Sequence, residues 1–148
     1  MDGPTHVADH VLLEESLELI VPVADDVIAS FYDQLFTDYP DVRPMFPADM
    51  SGQREKLLTA IVELVTNYEQ PAGLLPALTA LGRKHEDFGV RIDHYSAVGL
   101  TLLATLRRFA GDAWTPAYEG AWLRAYTFAA GVMMQAGTVK NAELPQAA

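Results

Sequence analysis

Residues 24–47 read ADDVIASFYDQLFTDYPDVRPMFP, and this stretch decides the fold. In its first part Val27, Ile28, Phe31, Tyr32, Leu35 and Phe36 recur three and four apart. That is the period of a helix with one broad apolar face; a half-buried strand would alternate by two. The second part carries Pro40, Pro44 and Pro47 in close succession. Proline has no amide donor and a fixed φ, so the helix must stop and the chain must turn. A helix over about 24–37, a short helical turn around Asp41–Met45 and a corner at Phe46 are expected.

Outward from this segment the same period continues. A first helix covers about 8–20, with Pro22 as a break or a first-turn proline. Downstream, Ser51 can cap a helix over about 52–68 whose inner face reads Gln53, Leu57, Ile61, Leu64 and Tyr68. Pro71 and Gly73 end it, Pro76 opens a helix over about 75–86, and Gly89 breaks that one. Asp93 is placed to cap a long helix over about 94–110 with the stripe Tyr95, Val98, Leu102, Leu106 and Phe109. Gly111 stops it, and Thr115-Pro116 begins a last helix to about 136. The expected organisation is one all-α domain over residues 1–137, about seven helices in all, followed by a flexible tail over 138–148. Helices of unequal length joined by proline corners argue against an up-down four-helix bundle.

Composition narrows the function classes. Half of the 148 residues are hydrophobic, which is enough to build a core. The formal net charge is −10, and no cluster of Lys and Arg offsets it locally. Such a surface repels nucleic acid and anionic membranes, so neither is expected as a partner. Cysteine is absent, which removes disulfides, thiolate metal sites and cysteine nucleophiles. The polar start MDGPTHVADH is not a signal peptide, and no apolar run is long enough to span a bilayer. A soluble cytoplasmic protein is expected.

Few residues are candidates for chemistry. His6 and His10 lie at the N-terminus and His94 in a first helical turn, where solvated roles are ordinary. His85 differs: it ends a short helix whose apolar residues are Leu74, Leu78 and Leu81. By itself a histidine there is more often a core or surface residue than a ligand. No H-E-x-x-H or paired E-x-x-H is present, and His85 and Glu86, being adjacent, point to different faces. Neither G-x-S-x-G nor a Gly-rich phosphate loop occurs. Chemistry, if any, would come most economically from a bound cofactor.

The motifs, taken in order, resemble one family. Phe31-Tyr32-Asp33-Gln34-Leu35-Phe36, Tyr39-Pro40, Val42-Arg43-Pro44 and Phe46 are similar to the second helix and corner of bacterial haemoglobins and flavohaemoglobins. Gly52-Gln53-Arg54-Glu55 with Leu57 resembles the start of their distal helix, and Leu75-Pro76-Ala77-Leu78 with Lys84-His85 their proximal segment. His94-Tyr95, Val98-Gly99 and 102–106 resemble the next helix, and Ala121-Trp122 with Ala125-Tyr126 the last. The resemblance spans about residues 10–137, and the order and spacing of the motifs carry it.

It implies a globin fold holding one haem b per chain, with His85 as the axial iron ligand. Phe46 would wedge against the haem ring, and Leu57 and Val98 would be pocket wall. Tyr32 and Gln53 would face the gas ligand from the distal side. Lys84 would pair with a propionate, and Tyr95 would belong to a proximal hydrogen-bond network. The implied ligands are oxygen, nitric oxide and carbon monoxide. The implied functions are oxygen binding or transport and, with an external flavin reductase, nitric oxide dioxygenation. Gas or redox sensing through a partner and a haem-free interaction domain are the alternatives, as monomer or homodimer.

Three departures stand out. The family's last helix carries a glutamate in the proximal network where this chain has Gly137, and Met133, one turn earlier, is no equivalent acceptor. A carboxylate behind a ligating histidine raises its basicity, so its loss implies a softer electron push unless a backbone carbonyl takes the proximal N–H. The flavin and nicotinamide domains of flavohaemoglobins do not follow in this sequence. The loop from Phe46 to Gln53 is also shorter than in the relatives it resembles.

Overall fold

The computed structural model describes residues 7–142, of which 138–142 by backbone alone. Six α-helices follow one another: α1 (Asp9–Ile20), α2 (Ala24–Asp38), α3 (Ser51–Thr66), α4 (Leu75–Asp87), α5 (Ile92–Ala110) and α6 (Pro116–Ala142). Short 3₁₀ turns at Val21–Val23, Pro40–Met45, Pro71–Leu74 and Gly111–Ala113 join them, and no strand occurs among the described residues. With the turn at Pro40–Met45 counted, these are the expected seven or so helical pieces of an all-α globin fold.

The proline corners fall where the sequence puts them, and Gly89 (φ 82°) and Gly111 (φ 59°) take the left-handed conformations that end α4 and α5. Thr115 caps α6 as expected, its Oγ1 accepting from the Tyr118 amide at 3.1 Å. Two other caps differ from expectation. Ser51 is the first residue of α3 and donates both its amide (3.0 Å) and its hydroxyl (2.8 Å) to Asp49 Oδ1. At α5 the helix starts ahead of Asp93, because the His94 imidazole accepts the Arg91 amide (2.9 Å) and leaves Asp93 to pair with the Arg91 guanidinium. The last helix continues to Ala142 instead of ending near 136, since no proline interrupts it before Pro145. Residues 143–148 of the expected tail, and His6, lie outside the described residues.

The core forms where α1, α2, α5 and α6 cross, around Leu13, Val27, Phe31, Leu35, Leu106 and Trp122. Buried hydroxyls there bond back along their own helices: Ser16 to the Leu12 carbonyl (2.7 Å), Thr101 to Ala97 (2.8 Å) and Thr105 to Thr101 (2.7 Å). The Trp122 indole N–H donates to Ser16 Oγ at 2.7 Å, tying α6 to α1. The most extensive helix pair is α4 on α6. It depends on Gly82, where an added Cβ would stand 2.3 Å from the Met133 carbonyl oxygen. That contact seats the short α4, and with it His85, against the longest helix.

Candidate functional site

Two groups of side chains carry the candidate residues. The first is built on α2, the proline corner and the start of α3. Tyr32, on the apolar face of α2, is only 5% exposed. Its ring packs edge-on against Phe31 (centroids 4.9 Å apart) and Phe46 (5.6 Å) and lies 5.8 Å from Phe36. Phe36 and Phe46 meet at 5.3 Å. Arg43 holds the corner in shape: its guanidinium lies 4.9 Å over the Phe36 ring and donates to the carbonyls of Phe46, Pro47 and Ala48 at 3.1–3.3 Å.

Despite the shortened loop, Gln53 in the first turn of α3 reaches this group, and its Nε2 donates to the Tyr32 hydroxyl at 3.2 Å. A phenol oxygen that accepts keeps its own proton for donation elsewhere. Burial pushes the Tyr32 hydroxyl up, outweighing the opposing Gln53 bond, so it stays a donor at neutral pH. Leu57, one turn beyond Gln53, is partly buried against the core.

The second group is built on α4, α5 and α6. His85 Nδ1 lies 2.8 Å from the Leu81 carbonyl oxygen one turn back in α4. A carbonyl only accepts, so Nδ1 carries the proton and Nε2 presents a lone pair. Nε2 has no hydrogen-bond partner among the described residues. Burial holds His85 below the usual histidine range against the opposing Leu81 bond, which keeps the ring neutral. The imidazole stacks on Tyr95 of α5 with centroids 5.9 Å apart and an interplanar angle of 25°. Tyr95 is fixed in turn, because the Tyr126 hydroxyl of α6 donates to its carbonyl at 2.5 Å. Gly99 leaves room for the Tyr126 ring, which would stand 2.7 Å from a Cβ there. Val98, one turn after Tyr95 along α5, is partly buried against the core that contains Tyr32. Lys84 is exposed.

Gly137 is buried on α6 beside Glu86: a Cβ there would lie 3.5–3.7 Å from the Glu86 Cβ, Oε1 and Cδ. Glu86 Oε1 is fully buried and finds no hydrogen-bond partner. Burial first, and then the Glu86 charge, push the Tyr95 phenol up. The structure thus brings Tyr32, Phe46 and Gln53 together in one group and His85 and Tyr95 in a second. Phe36, Arg43 and Tyr126, quoted from the sequence only as motif residues, join them, as do Glu86 and the Leu81 carbonyl, and none of the five had been given a role. The carbonyl could have been expected, since a helical side chain can reach the turn before it.

Chemically, the second group offers one neutral imidazole nitrogen. No cluster of three or more His, Cys, Asp or Glu residues able to hold a bare metal ion exists among the described residues. A single histidine suits a metal already bound in a larger organic ligand, and Phe36, Phe46, Leu57 and Val98 are partly buried against the core. Two open surface depressions, of about 540 Å³ beside residues 21–26 and about 280 Å³ between α4 and α6, are lined by none of the candidate residues.

Comparison with known proteins shows the family and the fold. The chain is 31% identical over 119 residues to a flavohemoprotein of Bacillus subtilis, covering 76% of this chain and 30% of that protein. It is 32% identical over 126 residues to one of Rhodopirellula baltica, covering 83% and 31%. The chain therefore spans under a third of the length of these relatives. Among solved structures, a bacterial globin from Campylobacter jejuni superposes with a TM-score of 0.78 at 23% identity, over 90% of this chain and 97% of that one. An engineered carbene transferase from Rhodothermus marinus, a candidate nitric oxide dioxygenase, does so with a TM-score of 0.82 at 24% identity, over 93% and 96%. These two likenesses establish the fold. The globin family model matches residues 29–133, which takes in the whole run from Tyr32 through His85 to Tyr126, and the chain belongs to the globin family.

Proposed function

We propose that this globin holds one haem b through His85 Nε2 and binds oxygen, nitric oxide or carbon monoxide on the side of Tyr32 and Gln53. The observation that carries the reading is the Leu81–His85 hydrogen bond of 2.8 Å, which fixes the tautomer and leaves a neutral Nε2 with its lone pair uncommitted. The donor set fits the group: one imidazole supplies an axial ligand and the apolar side chains supply contact for a flat ring. Bound haem supplies an iron centre for reversible gas binding and one-electron chemistry. The protein's part is to orient and exclude. Leu81 and Tyr95 hold the imidazole plane, Phe46 and Phe36 wall the pocket, and Tyr32 offers a buried hydroxyl proton to the ligand while Gln53 holds its oxygen. Leu57 and Val98 complete the wall, and exposed Lys84 is free to meet a propionate at the rim.

Oxygen binding is the primary activity in this reading. Nitric oxide dioxygenation would in addition need a separate flavin reductase as the source of electrons. The cytoplasm is where such a reductant is available. Visible spectra of wild type and His85→Ala, ferric, reduced and with carbon monoxide, test it. The expected result is a strong Soret band that shifts on reduction and on carbon monoxide in wild type and is lost or greatly altered in His85→Ala. Folded wild type that takes up no haem would overturn the proposal.

A further inference from the structure

We propose that Arg43 is a positioning residue of the distal side: by bracing the corner between α2 and α3, it sets where the Tyr32 hydroxyl stands. The assignment rests on the haem reading above. It starts from a shortage of donors. Pro40, Pro44 and Pro47 each remove a backbone amide from this short stretch. No backbone amide of the described residues donates to the carbonyls of Phe46, Pro47 or Ala48. The Arg43 side chain supplies what is missing: Nη1 donates to Phe46 at 3.2 Å and to Pro47 at 3.1 Å, and Nη2 to Ala48 at 3.3 Å. A planar fork of donors suits carbonyls in a row, whereas a lysine would offer a single point of charge.

Two routes lead from the braced corner to Tyr32. The first runs through rings. Phe46, the first of the braced residues, stands edge-on to Tyr32 with centroids 5.6 Å apart. The same guanidinium lies 4.9 Å over Phe36, which meets both other rings, so one side chain grips the corner and α2 together. The second route runs along the chain. Ala48 leads to Asp49, whose carboxylate accepts from the amide and the hydroxyl of Ser51 at the start of α3. Gln53, two residues on, donates to the Tyr32 hydroxyl at 3.2 Å. Bonds from a charged donor are stronger than neutral ones, so the brace outweighs the ordinary freedom of a loop. Releasing it moves the Phe46 ring and the Gln53 amide together. The Tyr32 hydroxyl then loses its fixed aim, and a hydrogen bond weakens steeply once donor and acceptor are misaligned.

The test is a double-mutant cycle on oxygen release from the haem-loaded protein, with Arg43→Met and Arg43→Lys made alone and together with Tyr32→Phe. Met keeps an apolar stem beside Phe36 and removes every donor; Lys keeps the charge without the fork. The Gln53 side-chain amide signals in NMR spectra of the haem-free protein give a second readout. The expected result is oxygen release several-fold faster in Arg43→Met and less accelerated in Arg43→Lys. Neither change should add anything once Tyr32 is replaced by Phe, and the Gln53 signals should shift in Arg43→Met. Acceleration by the same factor in both backgrounds would mean general loosening, and it overturns the assignment while the haem reading stands. Unmoved Gln53 signals or an unchanged rate in folded Arg43→Met do the same. Should Arg43→Met fail to fold, the cycle with Arg43→Lys decides by the same criteria. Folded wild type that takes up no haem overturns the haem reading and this assignment with it.

Discussion

Replacing Tyr32 by Phe removes one hydroxyl and little else. The ring contacts with Phe31, Phe36 and Phe46 survive because they involve ring faces and edges, not the oxygen. Gln53 loses its acceptor, but it is only partly buried and water can take its place, so folding stability should fall by about 1 kcal/mol or less. The functional loss is larger. With its oxygen held by Gln53, the hydroxyl has one free proton to give to a polar gas ligand, and a hydrogen bond to a charged partner contributes roughly 1.5–3 kcal/mol. At about 1.4 kcal/mol per decade, oxygen release in Tyr32→Phe should be about ten- to one-hundredfold faster. Carbon monoxide, which is less polar when bound, should leave at nearly the wild-type rate. Stopped-flow displacement of oxygen by carbon monoxide measures the first rate directly. An oxygen off-rate equal to wild type in a folded, haem-loaded variant would remove Tyr32 from the distal role and refute the reasoning from the Gln53 hydrogen bond.

Two further outcomes follow from the packing and the tyrosines. Gly82→Ala should destabilise the fold by about 1–3 kcal/mol in urea titrations, because its Cβ would meet the Met133 carbonyl oxygen at 2.3 Å and α4 would have to move off α6. Gly52→Ala, in the first turn of α3 with nothing within 4 Å of its Cβ, is the control and should hold or gain stability; equal behaviour of the two would contradict the close approach of α4 and α6. Burial raises the Tyr126 hydroxyl above its ordinary value of 10.0. The folded state therefore keeps the proton that the unfolded chain gives up, and the stability is fully present below pH 10 and lost as pH rises beyond it. The slope from this one group is about 1.4 kcal/mol per pH unit, so Tyr126→Phe should start less stable at neutral pH and decline more shallowly in alkaline unfolding curves. A parallel decline in both proteins would show that Tyr126 does not carry that loss.

Much of this globin is legible in one dimension. The three-and-four spacing of Val27, Ile28, Phe31, Tyr32 and Leu35 dictates a helix and the face it buries, because both depend only on local period and on the water-avoidance of those side chains. The prolines at 40, 44 and 47 and the glycines at 89 and 111 dictate where the chain turns, since their restrictions or freedoms belong to single residues. The helix caps were less legible: at α3 and α5, Asp49 and His94 compete locally with Ser51 and Asp93, and small differences in geometry choose between them. The end of α6 lies beyond the expected 136 because no proline interrupts the helix before Pro145.

At the site, sequence likeness brought out His85, Tyr32, Gln53 and Phe46, but not what each one touches. Whether His85 would share its Nδ1 proton with a carboxylate or a carbonyl depended on the rotation of one ring toward Leu81. That Tyr126 would steady Tyr95 from 31 residues away, or that Glu86 would lie in the space above Gly137, depended on how α4, α5 and α6 are docked. Period and breakers are properties of neighbours along the chain, and the sequence by itself determined them. The hold of Tyr126 on Tyr95, the burial of Glu86 Oε1 beside Gly137 and the seating of α4 through Gly82 are properties of helices brought together across the core, and only the tertiary structure decided those.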